Sequence, residues 1–391
     1  MGRVADLFRE FFRKGDMLLL SLCLLASGMG LVLIYSATRY LNSNRSLLVQ
    51  VIAILIGICL YFALTFIDIE LFTEKTWKWM LLFNVFIILL LLTPFGVGEE
   101  TTGNNSWLAF PFLPMNIQPA EVAKLFFVLI LALQCSKYQE FGISRPTSVL
   151  RLAGHTILMC GLIGVTSSDF GMVLVYLFLF VLMAWSGGVQ KRWFALGFAG
   201  IAGAAVLMWS HLPTYIQKRV ITVVQWVFFG VDYEPQGAGW QQSHSVLAIG
   251  SGGLTGQGYL QGTQTQQGAI PAQRADEIFA VCGEEFGLIG CIAVVLVLTA
   301  IILRCIWVSK NARSPMCAFA AMGYAAMLMI QTAINIGTCL YVFPVVGLTL
   351  PFFSYGGSSI ITLFAAMGVV SSIKARPLPS WLKDRTKFRA F

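Results

Sequence analysis

Runs of about twenty apolar residues recur along this chain, and no other feature restricts its fold so severely. A bilayer's hydrocarbon core is about 30 Å thick, and a helix of about twenty residues spans it. In that medium every backbone N–H and C=O needs an internal partner, which leaves the α-helix for runs of this length. Runs of this kind centre near Ala26, Leu55, Phe86, Phe127, Leu158, Leu177, Ala202, Val294, Met327 and Phe364. The expected fold is therefore an all-α polytopic membrane protein with about ten transmembrane helices, forming a single domain over residues 1–391. Composition agrees: 57% of residues are hydrophobic and 11% charged, against about 25% charged in soluble domains. A soluble enzyme, a disordered chain and a fibrous protein are excluded. The first run is too long and too well continued for a cleaved signal peptide. Only Thr166-Ser167-Ser168-Asp169 separates the fifth and sixth runs, which predicts an antiparallel hairpin.

Orientation follows from Lys and Arg, which concentrate on the cytoplasmic side. With the N-terminus cytoplasmic, 20 of the 26 fall on inside segments, six of them in the tail over 374–389. The other six are Arg39, Arg45, Lys124, Lys218, Arg219 and Arg274. Both termini are then cytoplasmic, and the net charge of +8 is chiefly an anchor to anionic membrane lipids, not a nucleic-acid surface. The nine cysteines form an odd set without a C-x-x-C pair, mostly inside apolar runs, and read as packing residues. Three scattered histidines offer no metal site.

Two long connections fall on the outer side: about 25 residues between the third and fourth helices, and a large extracytoplasmic loop over 212–278 between the seventh and eighth. The larger is dense in Gly, Gln and Trp but poor in charge, so it is expected to fold against the membrane face.

Ionisable side chains at membrane depth are expensive and mark pathways or active sites. Glu121 and Lys124, three apart at the start of the fourth helix, can pair. Asp169 sits at the turn before the sixth helix. Asp276, Glu277, Glu284 and Glu285 cluster where the long loop enters the eighth. These groups either share an outward-facing polar cavity or, for Glu284 and Glu285 with equal weight, simply complement a helix dipole. The glycine-rich stretch from Ala248 to Gly258 suggests close backbone approach or a phosphate-binding nest. Leu350-Pro351-Phe352-Phe353-Ser354-Tyr355-Gly356-Gly357-Ser358-Ser359 places hydroxyls and glycines at the start of the tenth helix, where an anionic oxygen can bind.

That last run, with Asn335-Ile336-Gly337 upstream, resembles the signature of the SEDS family, which includes RodA, FtsW and SpoVE. Gln118-Pro119-Ala120-Glu121 with Lys124 resembles the family's Q-P-S-E-x-x-K, and Asp169-Phe170-Gly171 its D-x-G. The stretch from Ala248 through Gly262-Thr263-Gln264 to Asp276 and Gly283-Glu284-Glu285 resembles its large outer loop and the following helix. The likeness runs over essentially the whole chain. Gly262-Thr263-Gln264-Thr265-Gln266 leans toward the RodA branch, which is the expectation here, although Gly347-Leu348-Thr349-Leu350-Pro351 leans toward FtsW.

The resemblance implies a peptidoglycan glycosyltransferase that polymerises lipid II on the outer face of the bacterial cytoplasmic membrane with a class B penicillin-binding protein. It also implies a divalent metal ion, Mg or Mn, whose ligands this sequence does not locate. The family's P-E-x-H-T-D-F-I-F-A corresponds to Pro271-Ala272-Gln273-Arg274-Ala275-Asp276-Glu277-Ile278-Phe279-Ala280. The Asp is kept as Asp276, the expected general base. Its surroundings depart from the pattern: Glu277 could coordinate the metal ion, but the favoured expectation is a solvated neighbour, and Arg274 is expected to be an exposed loop charge. Ser106 replaces the Arg of the family's N-G-A-x-R-W, so Arg274 is also a possible substitute cation in the same cavity. Gln118, Glu121, Lys124, Asp169, Arg274 and Ser358 are the expected substrate-binding residues, with Lys124 facing the leaving pyrophosphate. Two other classes remain open at this level: a lipid II transporter, and a non-catalytic scaffold that activates a partner synthase.

Overall fold

The computed structural model describes residues 2–98, 105–111, 115–211, 214–231, 237 and 239–376. The expected basic tail beyond residue 376 lies outside the described residues. A short amphipathic helix α1 (Gly2–Lys14) leads into α2 (Met17–Thr38), α3 (Arg45–Thr65) and α4 (Ile69–Leu89). After a loop come α5 (Pro119–Phe141), α6 (Pro146–Ser167), α7 (Phe170–Ser186) and α8 (Lys191–Met208). The long connection holds α9 (Thr214–Phe229), α10 (Trp240–Gly252) and the single turn α11 (Thr263–Gln267). The chain finishes with α12 (Ile278–Lys310), α13 (Pro315–Cys339) and α14 (Gly357–Ala375). In the loop before α5, β1 (Gly96–Val97) pairs antiparallel with β2 (Trp107–Leu108), Val97 opposite Trp107.

Each of the ten apolar runs is helical. Among the described residues, eight helices are long and apolar enough to cross a membrane, and α7 is a shorter apolar helix of 17 residues. Local chemistry sets where they begin. Asp16, Asp169 and Ser314 accept from the backbone N–H three residues on, capping α2, α7 and α13. Proline opens α5, α6 and α13, where its missing N–H costs nothing. The expected hairpin forms: Ser168 turns through the left-handed region at φ 53° and Asp169 starts α7 at once.

Helix α14 occupies the centre, with 83% of its spanning window buried against 22% for α4, which faces outward. It packs along α3 through glycines: a Cβ on Gly368 would stand 2.8 Å from Tyr61 Cα, so only a hydrogen fits at that crossing. At the ends of α3 and α14 distant from their N-termini, cations gather. Arg304 pairs with Asp16 at 2.9 Å, Arg313 with Asp68 and Glu70, and Arg376 donates to the carbonyl of Phe66.

The long connection is largely helical and docked, with α10 lying on α12. Helix α12 is broken at Gly287, whose backbone (φ 63°, ψ −160°) is not helical. Into that break the glycine-rich stretch is threaded: Leu288 N–H bonds Gly253 O at 2.9 Å and Gln257 N–H bonds Glu284 O at 2.9 Å. A Cβ on Gly287 would lie 2.4 Å from Gly256 N, and one on Gly252 would lie 1.9 Å from Gly283 O. Close backbone approach therefore explains these glycines; Gly258 N–H is spent on Glu285 O at 3.1 Å and Gly256 N–H on Gly252 O at 2.8 Å, so these two form no phosphate nest.

Glu284 and Glu285 are likewise structural. Glu284 is fully buried and accepts from Gln264 N (2.8 Å), Thr265 N (2.9 Å) and Thr265 Oγ1 (2.6 Å), capping α11. Glu285 accepts from Ser36 Oγ at 2.6 Å and Gln266 Nε2 at 3.0 Å. Neither lines the cavity described next, which corrects the cavity expectation for them; Glu284 does meet a helix N-terminus, but that of α11 and not of its own helix.

Candidate active site

Helices α3, α5, α7 and α14 begin around one cavity of about 1130 Å³, and α12 begins two residues beyond its wall. The positive ends of helix dipoles therefore converge on it. Its lining includes Arg45 and Ser46 from α3, Ser106 and Trp107 from the β2 region, and Gln118 and Glu121 from α5. Asp169, Arg274 and Asp276, the 346–349 segment, and Tyr355, Gly356 and Gly357 complete it.

The segment bearing Asp276 is held residue by residue. Tyr355 N–H donates to Arg274 O at 2.8 Å, and Ser354 Oγ donates to Ala275 O. Asn335 Nδ2 donates to Asp276 O at 2.7 Å and also to Leu348 O at 2.7 Å, joining that segment to the opposite wall. The two motifs singled out in the sequence, around Asn335 and Ser354, thus act as clamps on the backbone of Asp276. Burial, and then the neighbouring carboxylates of Glu277 and Asp169, push the Asp276 carboxyl up to about 7. Asp169 is raised too, by burial first, although Met172 N–H and Gln118 Nε2 (3.1 Å) bond its carboxylate.

Arg274 reaches the cavity wall: its guanidinium lies 5.3 Å above the Tyr355 ring and donates to Ser46 Oγ at 3.2 Å. It is solvent-exposed in the sense that it faces the cavity, not a free loop. Ser106 lines the same cavity, so the cation and the position where the resemblance expects one share a single space. Glu277 contradicts its expectation. It is fully buried, accepting from Gln241 Nε2 at 2.9 Å and from the Ser245 hydroxyl.

Lys124 lies one layer behind the wall. Its Nζ bonds Glu121 Oε2 at 2.8 Å with both side chains almost completely enclosed, and Gln331 Nε2 reaches Glu121 Oε1 at 3.2 Å. Only Glu121 of the pair lines the cavity. Ser358 is also behind the surface, its Oγ accepting from Gln118 N–H at 3.2 Å. Sequence reasoning missed Arg45, although a cation opening an apolar helix on the outer side runs against the charge rule and was a readable signal. Among the described residues no three His, Cys, Asp or Glu side chains are gathered to hold a metal ion.

Known proteins share this architecture. A solved chain from a peptidoglycan synthase complex superposes with a TM-score of 0.75 at 27% identity, covering 92% of this chain and 97% of its own. The probable peptidoglycan glycosyltransferase FtsW of Bacillus subtilis (strain 168) is 29% identical over 94% of this chain and 92% of its own length. The peptidoglycan glycosyltransferase MrdB of Escherichia coli (strain K12) is 30% identical over 75% of this chain and 77% of its own. Similarity to the two is nearly equal, so they do not decide between the RodA and FtsW branches. The family described as cell cycle protein, FTSW_RODA_SPOVE, matches residues 16–377, nearly the whole described chain, and this multi-pass membrane protein belongs to that family.

Proposed function

We propose that this chain is a peptidoglycan glycosyltransferase that polymerises lipid II at the outer face of the cytoplasmic membrane, with Asp276 as general base. The observation that carries the reading is a clamped carboxylate of raised pKa in a cavity that two guanidiniums and four helix N-termini also face. The charge asymmetry of the bundle supports the side: the cationic ends of α12 to α14 lie opposite the cavity, and cations mark the cytoplasmic face.

In this reading Asp276 takes the proton of the acceptor sugar's 4-hydroxyl as that oxygen attacks the anomeric carbon of the growing chain. The new C1–O4 bond forms while the C1–O bond to lipid pyrophosphate breaks, and the pyrophosphate leaves with the electron pair. Arg274 and Arg45 meet the charge developing on the leaving oxygens, aided by the helix dipoles. Gln118 and Asp169 shape the wall beside them. Lys124 acts at one remove: it neutralises Glu121, whose carboxylate would otherwise repel the pyrophosphate.

The peptidoglycan synthase complex that resembles this chain supports a working partnership with a class B penicillin-binding protein. Purified protein with fluorescent lipid II, with and without that partner, tests the assignment against its alternatives. Glycan chains from the wild type and none from Asp276→Asn support the enzyme. Lipid II translocated across a vesicle without chain formation supports the transporter, and neither product supports the scaffold.

A further inference from the structure

Glu277 follows Asp276 directly, is fully enclosed, and meets no reacting group in the chemistry above. Its carboxylate is met by neutral donors, Gln241 Nε2 at 2.9 Å and the Ser245 hydroxyl from α10, and by the Cys339 thiol of α13. Gln241 and Ser245 are four apart on α10 and so share a face. Helix α10 is itself fixed, because Gln242 Nε2 on its next face donates to Phe343 O at 2.6 Å and Gly252 interlocks with α12. A buried carboxylate without a paired cation is costly, and stability alone favours an apolar side chain there.

We propose that Glu277 is a positioning residue, tying the segment that bears Asp276 to α10 so that the Asp276 carboxylate keeps one orientation in the cavity. The proposal rests on Asp276 being the general base. Asn335 holds the Asp276 carbonyl from α13, and Gln241 and Ser245 hold the next residue, Glu277, from α10, so the segment is fixed from two sides. Among the described residues, the other charged groups on the cavity wall are Asp169 at the start of α7, Glu121 on α5, Arg45 at the start of α3 and Arg274 on the same segment. Tyr355 faces the cavity, and Cys339 of α13 lies against the Asp276 carbonyl. A pH profile therefore reports Glu277 only as a difference between variants.

The test uses the full chain with its partner synthase and fluorescent lipid II. Glu277→Gln keeps both contacts with α10, and its polymerisation rate should stay within about threefold of wild type. Because the adjacent negative charge is gone, its acidic limb should move to lower pH. Glu277→Leu, which breaks the tie, should lower kcat about tenfold or more at unchanged KM. The α10 double variant Gln241→Leu with Ser245→Ala should reproduce that loss, and combining it with Glu277→Leu should add nothing further. Wild-type kcat in Glu277→Leu, or fully additive losses, would overturn the proposal. If Glu277→Leu does not fold, the α10 double variant decides alone, a wild-type kcat there being fatal. Continued polymerisation by Asp276→Asn would instead sink the general-base reading.

Discussion

The rate of glycan polymerisation should depend on pH through one group with a pKa near 7. Asp276 is pushed to about that value by burial and by two neighbouring carboxylates, whereas an ordinary Asp titrates near 3.9. The ionised form is the base, so activity is lost as pH falls through about 7. About a tenth of the carboxylates are ionised at pH 6 and about nine tenths at pH 8, which makes the expected rise about tenfold between them. The assay is kcat/KM for chain formation from fluorescent lipid II between pH 5.5 and 8.5. The same shift bears on stability. A folded-state pKa above the unfolded value gives stability that is complete below about pH 4 and lost as pH rises through about 7. A rise from 3.8 to about 7 is worth at most about 4 kcal/mol, less what the open cavity screens. Asp276→Asn should therefore abolish polymerisation yet melt a few degrees higher than wild type at pH 8. A flat pH profile, or an Asn variant less stable than wild type at pH 8, would refute the reasoning.

Removing the cation from the buried pair should be severe. Lys124→Met leaves Glu121 enclosed and unpaired, a cost of about 3–5 kcal/mol read as a lower melting temperature. Adding Glu121→Gln should restore both stability and much of the activity, and a double variant that is folded but inactive would return Lys124 to the substrate. Arg274→Ala should slow turnover by about tenfold or more, and Ser106→Arg in that background should recover part of the loss, since a guanidinium can serve a pyrophosphate from either wall. Wild-type rates in Arg274→Ala would end that idea. Gly287→Ala places a Cβ 2.4 Å from Gly256 N on a positive-φ backbone, and should cost about 2–4 kcal/mol in thermal unfolding of the detergent-purified protein.

The membrane helices were legible because their cause is local: a run of about twenty apolar residues must close its own hydrogen bonds wherever it sits. The hairpin at Ser168 and Asp169, and the Glu121–Lys124 pair, were readable for the same reason, since turn chemistry and three-residue helical spacing need no distant partner. Tertiary structure decided everything that depends on which helix ends meet. Arg45, Glu121 and Asp169 line one cavity because helices running the same way through the bundle start at the same end, and Ser106 and Arg274 join them from connecting segments folded over that end. It also separated carboxylates that look alike in sequence. Asp276 faces a cavity, while Glu277, Glu284 and Glu285 are turned inward onto α10, α11 and α2. Adjacent residues entering a helix point in different directions, and burial and partners then set what each carboxylate can do. Sequence alone determined that the chain crosses a membrane; only packing determined which of its few charges meet at the site.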